Sequence, residues 1–237
     1  MSRIYDAMRT ALAEPRSRLA GALEESDVLG RVSPSAADGY RRAALACSGA
    51  TERERQRVTL VVSSIPGEGT STVARNLARI VSASEQTLLV DANLRAPTQH
   101  ADFGVDRRIG LTEVLAQPDE LDRALHRFGS LSLLASGGSA NKAVDVPGLH
   151  GLRRLLEELR SRFDRIIVDG PPVTVYSEAA SLASLSDGVV LVVQAERTRW
   201  HVAEEAKRTI LASGARLTGA VLNRRRCHIP ESIYRLL

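Results

Sequence analysis

Short apolar runs rich in β-branched residues recur along this chain, each but the last followed by a segment whose apolar positions fall at helical spacing. The runs lie at 58–63, 87–91, 131–135, 165–169, 188–193 and 217–222. Val58-Thr59-Leu60-Val61-Val62 is representative, being apolar without clean alternation, as suits a strand of a parallel sheet covered on both faces. Helical patterns fill 72–83, 110–126, 148–161, 177–184 and 197–213. In the first of these Val73, Leu77 and Ile80 recur at helical spacing behind Ser71 and Thr72, both good N-cap residues. Strand and helix alternate throughout, which predicts an α/β fold: a mostly parallel sheet with crossover helices on both faces.

Outside that alternation, residues 1 to about 24 predict an amphipathic helix with Ile4, Met8 and Leu12 on one side, read as folded back on the domain, with a partner or membrane face as the alternative. A linker rich in Arg, Ser, Pro and Gly follows to about residue 36, so residues 1–35 form an N-terminal extension and 36–237 the domain with a short tail. A second helix, Ala36 to about Ala46, precedes the ERERQR turn into the first strand, and SGGSANKAVDVP at 136–147 reads as a polar loop.

The loop after the first strand, Ser63-Ser64-Ile65-Pro66-Gly67-Glu68-Gly69-Thr70-Ser71-Thr72, is built like a phosphate-binding loop. Such loops have the form GxxxxGK[ST], their backbone N–H groups cradling phosphates while the lysine neutralises the β and γ oxygens. Here Thr70 stands in place of the lysine, so the cradle is kept and the cation is missing. PGEGTS alone is weak evidence, because Pro-Gly and Gly-x-Gly are common turns. The strand before it and the helix after it supply the required context, making Gly67, Glu68, Gly69, Thr70, Ser71 and Thr72 the candidate nucleotide-binding residues. Ligands of open parallel sheets bind outside the carboxyl ends of the strands, and two acids stand there: Asp91 in LLVDANLR and Asp169 in RIIVDGPPV. With Ser71 they are the candidate Mg²⁺ ligands; each could instead cap the turn that follows it.

Composition narrows the classes. With 237 residues, 43% hydrophobic and 25% charged, the chain can bury one good α/β core. The 32 basic residues, all arginine except Lys142 and Lys207, exceed the 28 acids too slightly to argue for nucleic acid as a partner. No apolar stretch approaches the roughly 20 residues of a membrane span, and MSRIYDAMRTALAE carries acids and no cleavage pattern, so the expected location is cytoplasmic. Cys47 and Cys227 lack metal spacing and read as reduced thiols.

Taken in order, PGEGTSTVARNLA, LLVDANLRAPTQH, GLTEVLA, FDRIIVDGPPV, SDGVVLVVQAERT and GAVLNRRR resemble the cytoplasmic domain of the bacterial tyrosine kinases (BY-kinases) of capsule and exopolysaccharide systems, over about residues 36–226. These are a branch of the P-loop ATPases that include MinD and ParA. The resemblance implies ATP and Mg²⁺ as cofactors, autophosphorylation on a C-terminal tyrosine cluster, ring assembly, and control of polysaccharide export with a membrane-embedded co-polymerase or chain-length regulator. A membrane location would then come from that partner. Several positions depart from the family pattern. Thr70 replaces the lysine, and the acidic Walker A′ pair is Asp91-Ala92-Asn93, an amide at its second place. The ring-forming ExxRxxR helix corresponds to Asp38-Gly39-Tyr40-Arg41-Arg42-Ala43-Ala44, with Ala44 for the last arginine, and Tyr234 is alone in a tail where active members carry several tyrosines.

Phosphoryl transfer depends chiefly on positioning and on stabilising charge at the phosphate oxygens, so these losses fall on the main source of rate. The expectation is a pseudokinase that binds ATP weakly or not at all, with Asp91 and Asp169 catalytic only if the chain is active. Tyr234 is the candidate phosphosite, and His100 is read as polar surface. The alternatives are an active kinase whose cation comes in trans, with Arg75, Arg79 and Arg95 in the right segments, and a ParA/MinD-like positioning ATPase, against which LRAPTQH and the lack of a second lysine argue.

Overall fold

The structure, a computed structural model, describes residues 38–44, 57–138 and 146–225. Among the described residues seven strands form one sheet: β1 (Val58–Ser63), β2 (Thr87–Asp91), β3 (Leu125–Phe128), β4 (Leu131–Leu134), β5 (Arg165–Asp169), β6 (Gly188–Gln194) and β7 (Leu217–Asn223). The helices are α1 (Thr70–Val81), α2 (Gln99–Phe103), α3 (Leu111–Ala116), α4 (Leu121–Ala124), α5 (Val146–Arg162), α6 (Ser177–Ser184) and α7 (Trp200–Ala212), with a further helical stretch at 38–44. Strand order across the sheet is β3-β4-β2-β5-β1-β6-β7, and every pairing is parallel except β3 with β4.

The continuous apolar strands divide their side chains between two cores, one on each face. Leu60, Val62, Leu88, Val90, Ile166 and Val168 pack with residues of α3, α5, α6 and α7, whereas Val61, Leu89 and Ile167 pack with Val73, Leu77 and Ala78 of α1. Successive strand residues thus serve opposite faces, and this is why the runs show no polar alternation. Tyr40, Ala43 and Ala44 lie on the second core, so the alanine that departs from the family's ring helix rests on its own domain.

The edge of β1 far from the loop is fixed by charge. Arg160 donates from Nη2 to Asp187 Oδ1 at 2.6 Å and from Nη1 to Oδ2 at 2.8 Å, and Oδ2 also accepts the Val58 N–H at 2.8 Å. A forked guanidinium pair holds that carboxylate where it starts the strand.

Three details correct the sequence expectations. The helix expected at 110–126 is broken: α3 stops at Ala116, a 3-10 turn covers Pro118–Glu120, and after α4 the chain turns into β3. Pro118 cannot donate to a continuing helix, and β3 is a four-residue edge strand with only its first position buried, too short to give a period. Helix α2 has five residues and escaped notice for the same reason. Finally, α1 begins at Thr70 with Gly69 as its cap, so Ser71 and Thr72 lie in the first turn instead of ahead of it. Among the described residues no helix is long and apolar enough to cross a membrane. The expected N-terminal helix and linker, Cys47, Cys227, Lys142 and Tyr234 lie outside the described residues.

Candidate nucleotide site

Strand order places β5 between β2 and β1, so the three strand ends carrying the candidate residues are neighbours. Asp91 and Asp169 are direct register partners, and Val61, two residues before the loop, pairs with Asp169 as well. Ala92 N–H to Asp169 O at 2.9 Å continues the ladder past the acids. The residue after Asp169 is constrained too: a Cβ on Gly170 would lie 2.8 Å from Leu60 Cδ1 and 2.9 Å from Val62 Cγ1.

The loop wraps tightly between β1 and α1. Gly67 (φ 87°) and Gly69 (φ 91°) adopt the left-handed conformation that glycine alone takes at no steric cost, and Val73 N–H bonds Gly69 O at 3.0 Å to open the helix. A Cβ on Gly69 would fall on Asn223 Nδ2, which donates to Glu68 O at 2.8 Å. Glu68 is fully buried. Its Oε2 accepts Ser64 N–H at 2.7 Å and Ile65 N–H at 3.0 Å, while Oε1 accepts Gln194 N–H at 3.3 Å and the Thr198 hydroxyl. Of the six loop residues singled out from the sequence, Glu68 is therefore set apart: its carboxylate braces the loop against the β6–α7 connection. Gly67, Gly69, Thr70, Ser71 and Thr72 line an open cleft of about 420 Å³ together with Arg75, Asn93, Arg95, Thr98, Tyr176 and Arg224.

Asp91 and Asp169 are completely buried, and a residue that sequence reasoning passed over binds them together. Gln99 donates from Nε2 to Asp169 Oδ2 at 2.7 Å and to Ser71 O at 3.0 Å, and its backbone N–H reaches Asp91 Oδ2 at 3.1 Å. Asp91 Oδ1, Asp169 Oδ1 and Gln99 Oε1 remain buried with no hydrogen-bond partner. Burial pushes the Asp91 carboxyl up to about 8, reinforced by the nearby Asp169 charge and opposed by backbone N–H groups including that of Gln99. Burial likewise raises Asp169 to about 6, against hydrogen bonds from Gln99 and Ser71 and the charge of Arg75. Unpartnered buried carboxylate oxygens beside a phosphate-type loop fit a hard cation. Among the described residues no three or more His, Cys, Asp or Glu side chains cluster. The protein thus offers two carboxylates and the Ser71 hydroxyl, a set that suits magnesium, which keeps waters and substrate phosphates as its other ligands.

No lysine reaches the loop among the described residues: Lys207, on α7, pairs with Glu204 at 3.2 Å. The arginines considered from the sequence are also engaged. Arg75 forms an ion pair with Asp102, Arg95 pairs with Glu178 at 2.9 Å and stacks 5.2 Å above the Tyr176 ring, and Arg79 lies 5.3 Å over Phe103. Asn93 lines the cleft, its Oδ1 accepting Ala96 N–H at 3.4 Å. Asn223 and Arg224 were missed, although GAVLN ends a strand at the same edge of the sheet and the strand-end rule could have marked them. Gln99 had no such signal.

A parallel sheet whose first strand runs through a double-glycine wrap into a helix, with two acids at the neighbouring strand ends, defines a P-loop NTPase-like α/β protein. No protein-family profile matches the chain, but individual relatives do. It is 31% identical over 172 residues to the tyrosine-protein kinase YwqD of Bacillus subtilis, covering 71% of this chain and 73% of that one. The succinoglycan biosynthesis transport protein ExoP of Rhizobium meliloti is 27% identical over 194 residues, which are 79% of this chain and 25% of ExoP. The kinase domain of the Escherichia coli tyrosine kinase ETK superposes with a TM-score of 0.70 at 26% identity, over 97% of this chain and 91% of that one. The chain belongs to the bacterial tyrosine kinase family.

Proposed function

We propose that this chain is a catalytically impaired member of its family, one that regulates capsule or exopolysaccharide synthesis or export by docking on a membrane-embedded co-polymerase. The observation carrying this reading is a site complete in scaffold and deficient in charge: the glycine wrap, the Asp91–Asp169 register pair and Gln99 are in place, while Thr70 occupies the lysine position. ExoP's name supports the polysaccharide context, and this chain spans a quarter of ExoP.

In this reading Ser71, Asp91 and Asp169 would hold Mg²⁺, which supplies charge neutralisation at the phosphates when bound. The backbone N–H groups of Gly67 to Ser71 orient the phosphate chain at the start of α1. Asn93, an amide, cannot take a proton from a substrate hydroxyl, so the acid at the family's second Walker A′ place has no replacement in kind. A charge-assisted hydrogen bond lost from the β and γ phosphates costs about 1.5–3 kcal/mol, one to two decades of affinity, and the transition state loses more. Nucleotide therefore binds more weakly than in members that keep the lysine, and turnover is slight.

The test is genetic and biochemical together. Asp169→Ala, in protein shown to be folded and at normal levels, is expected to leave polymer production nearly intact, whereas deletion of the gene reduces it. Loss of polymer with Asp169→Ala would make nucleotide chemistry essential and favour an active kinase. Sub-micromolar Mg-ATP affinity in the isolated chain would equally refute the impairment.

A further inference from the structure

We infer that Arg197 and Arg224 form a cation clamp, supplied by the same chain, over the phosphate-binding loop. The clamp rests on the nucleotide-site reading above and assigns the charge that Thr70 fails to provide. Both guanidinium groups donate through Nη1 to a single oxygen, Gln194 Oε1, at 3.4 Å from Arg197 and 3.3 Å from Arg224. Each stands at one glycine of the wrap: Arg197 Nη1 is 3.6 Å from the position a Cβ would take on Gly67, and Arg224 Nε is 4.0 Å from the corresponding position on Gly69. Arg224 lines the cleft beside Thr70, Ser71 and Thr72.

The placement is built into the sheet. Gln194 ends β6 and Asn223 ends β7, and the two are register partners, so the residues following both strands emerge side by side at the loop's edge of the sheet. Asn223 ties Arg224 to the loop by accepting the Arg224 N–H on Oδ1 at 2.9 Å while donating from Nδ2 to Glu68 O at 2.8 Å. Arg224 (φ 55°) and Glu196 (φ 61°) hold left-handed backbone conformations that ordinary residues avoid, a cost that recurs where a chain is shaped for function.

The other arginines of the cleft are already engaged, Arg75 by Asp102 and Arg95 by Glu178. Among the described residues neither Arg197 nor Arg224 forms an ion pair; each meets only the neutral amide oxygen. Two cations sharing one neutral acceptor repel each other, and an anion between them and the loop N–H groups relieves that repulsion. Asp91 and Asp169, with their unpartnered oxygens, offer the complementary cation site at the adjoining strand ends. The ligand class that satisfies both is a metal-bound polyphosphate.

The test is calorimetric titration of the full chain with Mg-ADP and, separately, with inorganic tripolyphosphate, up to millimolar ligand. Wild type, Arg197→Ala, Arg224→Ala and the double variant are compared, each also with Thr70→Lys. Arg123→Ala, which removes an exposed charge paired with Glu120, is the control. Each single clamp variant is expected to lose about tenfold in affinity for both ligands, the equivalent of one charge-assisted hydrogen bond. With Thr70→Lys present the same substitutions should cost less than about threefold, because the lysine then supplies the charge; such non-additivity marks a shared ligand contact, which a merely structural residue would not produce. Unchanged ligand-free melting would show the variants folded. The clamp is overturned if the double variant binds as wild type does, or if wild type fails to bind while Thr70→Lys binds. Efficient phosphoryl transfer by wild type would refute the impaired-kinase reading and leave the clamp standing.

Discussion

Glu68→Gln probes whether the loop is held from inside by a buried charge. The substitution keeps the side chain's volume and converts one acceptor oxygen into an NH₂ donor. In the wild type four donors converge on the carboxylate: Ser64 N–H and Ile65 N–H on Oε2, Gln194 N–H and the Thr198 hydroxyl on Oε1. The best glutamine orientation keeps its oxygen on the two loop N–H groups. Those bonds become neutral, falling from about 1.5–3 to about 0.5–1.5 kcal/mol each. On the other side the Thr198 hydroxyl can turn to accept from the NH₂, and Gln194 N–H keeps its 3.1 Å contact with Thr198 Oγ1 as its only acceptor. Two weakened bonds and one lost bond sum to about 3 kcal/mol. In a protein of this size that corresponds to a melting point lower by roughly 6–12 °C. Opposing this is the desolvation cost that a buried carboxylate carries and glutamine escapes. Thermal denaturation of ligand-free protein followed by circular dichroism decides between them: a melting point within about 2 °C of wild type, or above it, would refute the claim that the four donors outweigh desolvation.

Other outcomes follow from the same geometry. Gly170→Ala drives a methyl against Leu60 and Val62 between two central strands and is expected to cost about 1–3 kcal/mol in urea denaturation; an unchanged midpoint would show that β1 and β5 can give way. Asp187→Ala removes the forked Arg160 pair and the acceptor of Val58 N–H, with an expected loss of about 2–3 kcal/mol by the same measurement. The folded pKa values of Asp91 and Asp169 lie above their unfolded ones, so each contributes stability that is full below the unfolded value and is lost as pH rises through about 6 for Asp169 and about 8 for Asp91. Metal-free protein should therefore melt progressively lower as pH rises from about 3.8 to about 8, and Mg²⁺, which replaces the protons, should stabilise more at the upper end than at the lower; a pH-independent Mg²⁺ effect would exclude the pair as its site. Gln99→Leu should lower the pH at which stability is greatest, since it withdraws the amide that stabilises the Asp169 carboxylate; an unchanged pH profile would show that Gln99 leaves the acid's titration alone.

The sequence by itself determined the mostly parallel sheet and which of its strand ends carry the glycine-rich loop and the two acids. Among the described residues β1, β2, β5 and β6 carry nearly continuous apolar runs, and that pattern exists because these inner strands satisfy a core on both faces. The glycines of the loop and the acids at 91 and 169 could be read because local chemistry imposes them: a tight left-handed wrap requires glycine, and a strand end beside a phosphate loop invites a carboxylate. What no local pattern carries was decided by the tertiary structure. β3 is four residues at an edge, without a period to detect, and Pro118 breaks a helix whose apolar spacing continues through it. Glu68 looks like a loop residue facing a ligand, and its inward turn depends on donors more than 100 residues away, Gln194 N–H and the Thr198 hydroxyl. Gln99 bridges Ser71 and Asp169 only because strand order brings β2, β5 and β1 side by side. Arg197 and Arg224, apart in sequence, share one oxygen because β6 and β7 end in register. Contacts of this kind are set by which strand ends become neighbours, a property of the closed sheet that no single segment of the chain records.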